Sequence, residues 1–165
     1  MSGARRYCTG GYIFQVSDIA QGELLTGPAG AVHEEGNTFD VFNGQGFPDS
    51  FNQAPLKDPA RGAGDGTALV IGTGLVDLNF KSAAARTPQS GTGSGEGVIE
   101  YCQWDVERVG GHSLVYSATQ SLGPFKLRIQ RTVSLSGRTL TSRTVVTNLG
   151  SVALPVSWFP HPFFP

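Results

Sequence analysis

The sequence is poor in charge, in cysteine and in long apolar runs. Lys and Arg number 12 and Asp and Glu 13 among 165 residues, a net charge of −1. With no basic excess to neutralise a phosphate backbone, nucleic acid is not an expected partner. No stretch reaches the roughly 18 consecutive apolar residues that a membrane-spanning helix needs, so a membrane is not an expected partner either. Arg5 and Arg6 lie near the start, but no apolar core follows them, and no secretory signal is predicted. The two cysteines, Cys8 and Cys102, stand far apart. They cannot assemble a four-ligand zinc site at the usual spacings, and they read as thiols in a reducing compartment. No Asn-x-Ser/Thr acceptor for glycosylation is present, in keeping with a cytoplasmic protein. No metal and no cofactor is expected.

Uninterrupted helix-length segments are also scarce. Gly occurs 23 times and Pro 10 times. The longest run free of both covers residues 75–87, whose tail, 81–86, predicts one or two helical turns. Elsewhere the interruptions suit strands of about 5 to 10 residues joined by turns. The clearest strand is 125–136. Phe125, Leu127, Ile129, Val133 and Leu135 fall on one face, and Lys126, Arg128, Gln130, Thr132, Ser134 and Ser136 on the other. This is the period of two that strands impose. Arg131 is the exception on the apolar face. Ser136-Gly137 predicts a turn, and 139–148 an antiparallel partner. Asn148-Leu149-Gly150-Ser151 predicts the next turn, and 152–159 another extended piece.

Upstream, 98–109 reads as one strand with both faces partly covered. Gly110-Gly111 joins it to a strand over 112–122, so a meander runs from Val98 onward. Residues 12–16 and 39–42 are shorter strand candidates. Residues 43–68 and 88–97 read as long loops. The predicted class is all-β, an antiparallel β-sandwich with little helix, in one domain over 1–165.

Several motifs invite functional readings. Gly91 to Gly97 is glycine-rich, but no lysine and no helix accompany it, so a solvated loop is expected rather than a phosphate cradle. Asp58, Arg61 and Asp65 lie in a Gly-rich stretch with too few carboxylates for a calcium loop, which predicts a plain turn. His33-Glu34-Glu35 lacks the second histidine of a helical zinc motif. His112, after two glycines, reads as structural.

Residues 41–53 mix polar groups (Asn43, Gln45, Asp49, Asn52, Gln53) with aromatic ones (Phe42, Phe47, Phe51). Amides and carboxylates grip sugar hydroxyls, while rings cover the apolar face of a sugar. An ordinary loop pinned by its phenylalanines is the alternative. From this stretch Asn43, Phe47, Asp49 and Asn52 are the candidate sugar-binding residues.

Residues 156–165 carry no charge, four large aromatics and three prolines. Pro160 and Pro162 flank His161 and stiffen its backbone. A histidine so held, with its ionisation set by burial, suits acid–base work, although a purely packing histidine fits the same pattern. So apolar a segment predicts cover from a missing C-terminal half or from a partner chain over 156–165.

Asn148-Leu149-Gly150, then Leu154-Pro155, then His161-Pro162-Phe163-Phe164 resembles the middle of the aldose 1-epimerase (galactose mutarotase-like) family. The strands before it, with Leu127-Arg128-Ile129 and 140–148, fit the same pattern. The resemblance implies a β supersandwich and an isomerase that interconverts the anomers of a small-molecule sugar in carbohydrate metabolism. It implies that His161 is the general acid at the ring oxygen. The general base it implies is a glutamate in the second half of the domain, outside this sequence, so the chain alone is expected to be inactive. Phe47-Pro48 is followed by Asp49-Ser50-Phe51-Asn52 where the family usually has an arginine. No residue between His33 and His112 supplies the family's second sugar-binding histidine. A non-catalytic carbohydrate-binding or interaction module on the same fold is therefore the alternative reading.

Overall fold

The computed structural model describes residues 10–13, 16–24, 49–51, 56–79 and 98–160. Eleven strands occur there, all in antiparallel pairs, with no helix among the described residues. They are β1 (Ser17–Asp18), β2 (Gly22–Glu23), β3 (Asp49–Phe51), β4 (Thr67–Val70), β5 (Gly74–Asp77) and β6 (Val98–Tyr101), followed by β7 (Asp105–Val109), β8 (Ser113–Leu122), β9 (Phe125–Ser136), β10 (Thr139–Asn148) and β11 (Trp158–Pro160).

The predicted meander is the larger sheet, in the order β10-β9-β8-β7. Its turns follow from their glycines. Gly110, Gly123 and Gly137 all adopt positive φ, between 54° and 62°, where a side chain would be strained. Strands β9 and β10 have the predicted bounds. After β10, the Asn148 side chain closes the next turn. Its Oδ1 accepts from the Gly150 N–H at 2.9 Å, and its Nδ2 donates to the Val152 carbonyl at 2.8 Å.

The smaller sheet runs β4-β5-β6 and packs on the meander as a sandwich. Leu69 and Ile71 from its inner face meet Ala118, Leu122, Leu127 and Ile129, with Leu56 and Phe51 completing a dry core. Burial of this kind is what holds an antiparallel sandwich together. Its other face gathers Ala68, Val70 and Val76 into a second cluster. Gln120 stitches the two sheets. Its Oε1 accepts from Gly72 N–H at 2.7 Å and its Nε2 donates to the Val70 carbonyl at 3.3 Å, so a buried amide is satisfied at both ends. Gly74 is required where it stands: at φ +132° a Cβ would lie 1.9 Å from the Glu100 carbonyl oxygen across the ladder.

Three sequence expectations need correcting. Residues 98–109 do not form one strand. β6 belongs to the smaller sheet and β7 to the larger, and Cys102-Gln103-Trp104 carries the chain between them. No Gly or Pro marks that crossing, so the pattern continues through it unbroken. β7 is exposed along its length rather than covered on both faces. Residues 43–68 are not all loop. Asp49–Phe51 is a strand, Leu56 bridges to Leu69, and β4 has begun by Thr67. Of 152–159, only the end is strand, and it pairs with β3 rather than with β10. Of the candidate 12–16, Ile13 makes a bridge, and the nearby regular pair is β1 with β2. The candidates 39–42, 81–86 and 88–97 lie outside the described residues.

Candidate functional site

The alternation of β9 that buries Leu127 and Ile129 also turns Arg131 inward, where it is 1% exposed. The register sets it in one row with Tyr116 of β8 and Thr144 of β10. A guanidinium cannot lose its charge in a protein, so its burial needs acceptors. Arg131 finds three. Its Nε donates to Thr144 Oγ1 at 3.1 Å, its Nη1 to the Gly10 carbonyl at 2.6 Å, and its Nη2 to Asp49 Oδ2.

Asp49, at the head of β3, is engaged on both oxygens. Oδ2 also accepts from Thr144 Oγ1 at 2.6 Å, and Oδ1 accepts from the indole Nε1 of Trp158 at 3.0 Å. Four segments distant in sequence therefore meet at one ion pair. Gly10 fits for lack of a side chain: a Cβ there would stand 2.3 Å from the Trp104 ring.

Beside this cluster a groove of about 470 Å³ opens between β10 and the β3–β11 pair. Asp49, Thr141, Ser142, Arg143, Thr144 and Trp158 supply its polar and aromatic lining. Trp158 is 52% exposed, so the indole has its N–H fixed and much of its surface open. Hydroxyls next to an exposed ring suit a ligand with hydroxyls on its edge and C–H groups on its face. The Asp49 carboxylate is the only one among the described lining residues.

Of the sequence candidates, Asp49 lies in this groove, while Phe51 beside it is core at 3% exposure. Asn43, Phe47, Asn52 and the candidate acid His161 lie outside the described residues, as do His33 and the 91–97 segment. Trp158 and Thr144 were not among the candidates, and Arg131 was not among the sugar-binding ones. Arg131 carried a signal as the one charge on an apolar face, and Trp158 as part of an uncharged aromatic run. Thr144 carried none, being one more Thr in a β-rich stretch.

The 58–67 region is the turn its composition predicts. Asp58 Oδ1 accepts from Ala60 N–H at 2.9 Å, Arg61 donates to Asp65 at 3.0 Å, and Asp65 Oδ1 accepts from Thr67 N–H at 2.6 Å. The Thr67 hydroxyl and N–H, then Arg61, lower the Asp65 carboxyl to about 2. Among the described residues, no three His, Cys, Asp or Glu side chains gather in a metal-ligating group. His112 is exposed, with its carbonyl accepting from Leu135 N–H at 2.9 Å. No helix among the described residues is long and apolar enough to cross a membrane.

No family model matches this chain, and no curated protein or solved structure matches it either.

Proposed function

We propose that this chain is the sugar-holding, acid-bearing portion of an aldose 1-epimerase-like isomerase. The observation that carries the reading is the pairing of Pro160 with Asp49. The strand that ends one residue before His161 runs beside the strand that opens the Asp49 groove, which supports assigning the candidate acid and the sugar-like lining to one site. In this reading the indole of Trp158 covers the C–H face of a sugar, and the hydroxyls of Thr141 and Ser142 meet its hydroxyls. His161 donates a proton to the ring oxygen. A base from the second half of the domain removes the anomeric hydroxyl proton. The C1–O5 bond breaks, the aldehyde rotates, and closure on its other face reverses both proton transfers. One acid and one base on opposite sides are all that this step needs. The enzyme acts in the cytoplasm, where free sugars are its substrates.

One observation favours the second reading, a sugar-binding module without catalysis. The only carboxylate among the described lining residues, Asp49, is engaged by three donors and is not available as a base.

Anomer exchange of D-glucose and D-galactose, followed by NMR exchange spectroscopy on the complete protein, separates the two. Exchange faster than in buffer that is lost in His161→Ala supports the isomerase. Equal exchange in wild type and His161→Ala overturns it. Saturable sugar binding with no added exchange supports the module.

A further inference from the structure

Trp158 is the most exposed large ring among the described lining residues of the groove, yet its N–H is tied to the least solvent-exposed charge pair among the described residues. The indole hydrogen bond spans 109 residues of sequence, and Arg131 reaches Asp49 across 82. A half-exposed tryptophan has ordinary freedom about two side-chain torsions, and a sugar face is recognised only by a ring already turned toward it. A bond from Nε1 to a fixed carboxylate removes that freedom. The carboxylate is itself fixed by two donors from the buried side, Arg131 Nη2 and Thr144 Oγ1.

We propose that Asp49 is a positioning residue for sugar recognition rather than a sugar ligand. It sets the Trp158 ring as one wall of the groove, and Arg131 and Thr144 hold Asp49 in turn. The inference rests on the sugar reading above and assigns the specificity-determining contact within it. The path is Arg131 and Thr144 to Asp49, Asp49 to the indole N–H, and the indole face to the ligand. A buried pair thereby governs a surface contact without touching the ligand. The Asp49 side chain is 14% exposed and its oxygens are already satisfied, which leaves it little to offer a hydroxyl directly.

The test uses the ¹⁵N-labelled protein with its two tryptophans, Trp104 and Trp158. Trp158→Phe assigns the two indole N–H resonances by loss of one. In wild type, D-galactose or D-glucose is expected to shift the Trp158 resonance saturably and leave that of Trp104 nearly still. Asp49→Asn is expected to move the Trp158 resonance toward that of a solvated indole before any sugar is added, and to weaken sugar binding at least tenfold. Thr144→Val keeps both charges and the side-chain shape. It is expected to shift the same resonance less and weaken binding severalfold, and it decides the matter should Asp49→Asn fail to fold. Folded variants with an unmoved indole resonance and wild-type affinity overturn the positioning role while leaving the sugar reading intact. A wild type in which neither sugar moves the Trp158 resonance overturns the sugar reading, and this inference with it.

Discussion

A single face of β9 passes through two different interiors. Leu127 and Ile129 lie among Ala118, Leu122, Leu69 and Ile71, an apolar contact made by area and shape. Two residues further on, Arg131 is equally buried, but every contact of its guanidinium has a direction, with a named donor and a named acceptor. Apolar packing tolerates exchange of one hydrocarbon for another of similar volume. A buried ion pair does not tolerate loss of either member, because the survivor is left charged in a dry place. The first interior holds the two sheets together. The second holds Gly10, β3 and β11 against the meander, and the candidate site opens beside it.

Substitutions along β9 separate the two interiors by their cost. The largest effect is expected at Arg131→Met, which strands Asp49. A loss of about 3–5 kcal/mol in urea unfolding is predicted, and a loss near 1 kcal/mol would make the polar interior no more demanding than a surface pair. Leu127→Ala, at a fully buried site, is predicted to cost about 2–5 kcal/mol through lost burial and a cavity. Sugar affinity of the protein that remains folded should stay close to its wild-type value, because Leu127 does not line the groove. Ile129→Val should cost only about 1 kcal/mol. A cost there as large as at Arg131 would mean that both interiors are equally specific.

The smallest effect is electrostatic and lies outside both interiors. Asp65 has its folded-state carboxyl lowered to about 2 from the usual 3.8, so its contribution to the 58–67 turn is complete above pH 3.8 and is lost as pH falls through 2. Thr67→Val should raise that carboxyl toward its ordinary value in an NMR titration. An unchanged titration would show that Thr67 is not the main cause.

The same division separates what was legible in the sequence from what was not. Alternation marks β9, which has one buried face, and Thr- and Val-rich composition after the Gly137 turn marks β10 as its partner. The break between β6 and β7 was not legible: Cys102-Gln103-Trp104 has the composition of a strand, and only the competing ladders of the two sheets divide it. β3 was hidden inside a Gly- and Pro-rich stretch. It is three residues long and exists by virtue of its pairing with β11, more than a hundred residues later. At the site, Asp49 stood out by chemical type and Arg131 by breaking a pattern. Nothing in the sequence joined them, because an ion pair between segments 82 residues apart leaves no periodic trace. Trp158 was visible as an aromatic, but its partner was not.

Whether Arg131 and Asp49 form one unit on which the groove depends is tested by a double-mutant cycle. Arg131→Met, Asp49→Asn and the double variant are unfolded in urea beside wild type. Strong coupling is expected, with the double variant less destabilised than the two single losses summed, by about 1–3 kcal/mol. Additive losses, agreeing within about 0.5 kcal/mol, would contradict it.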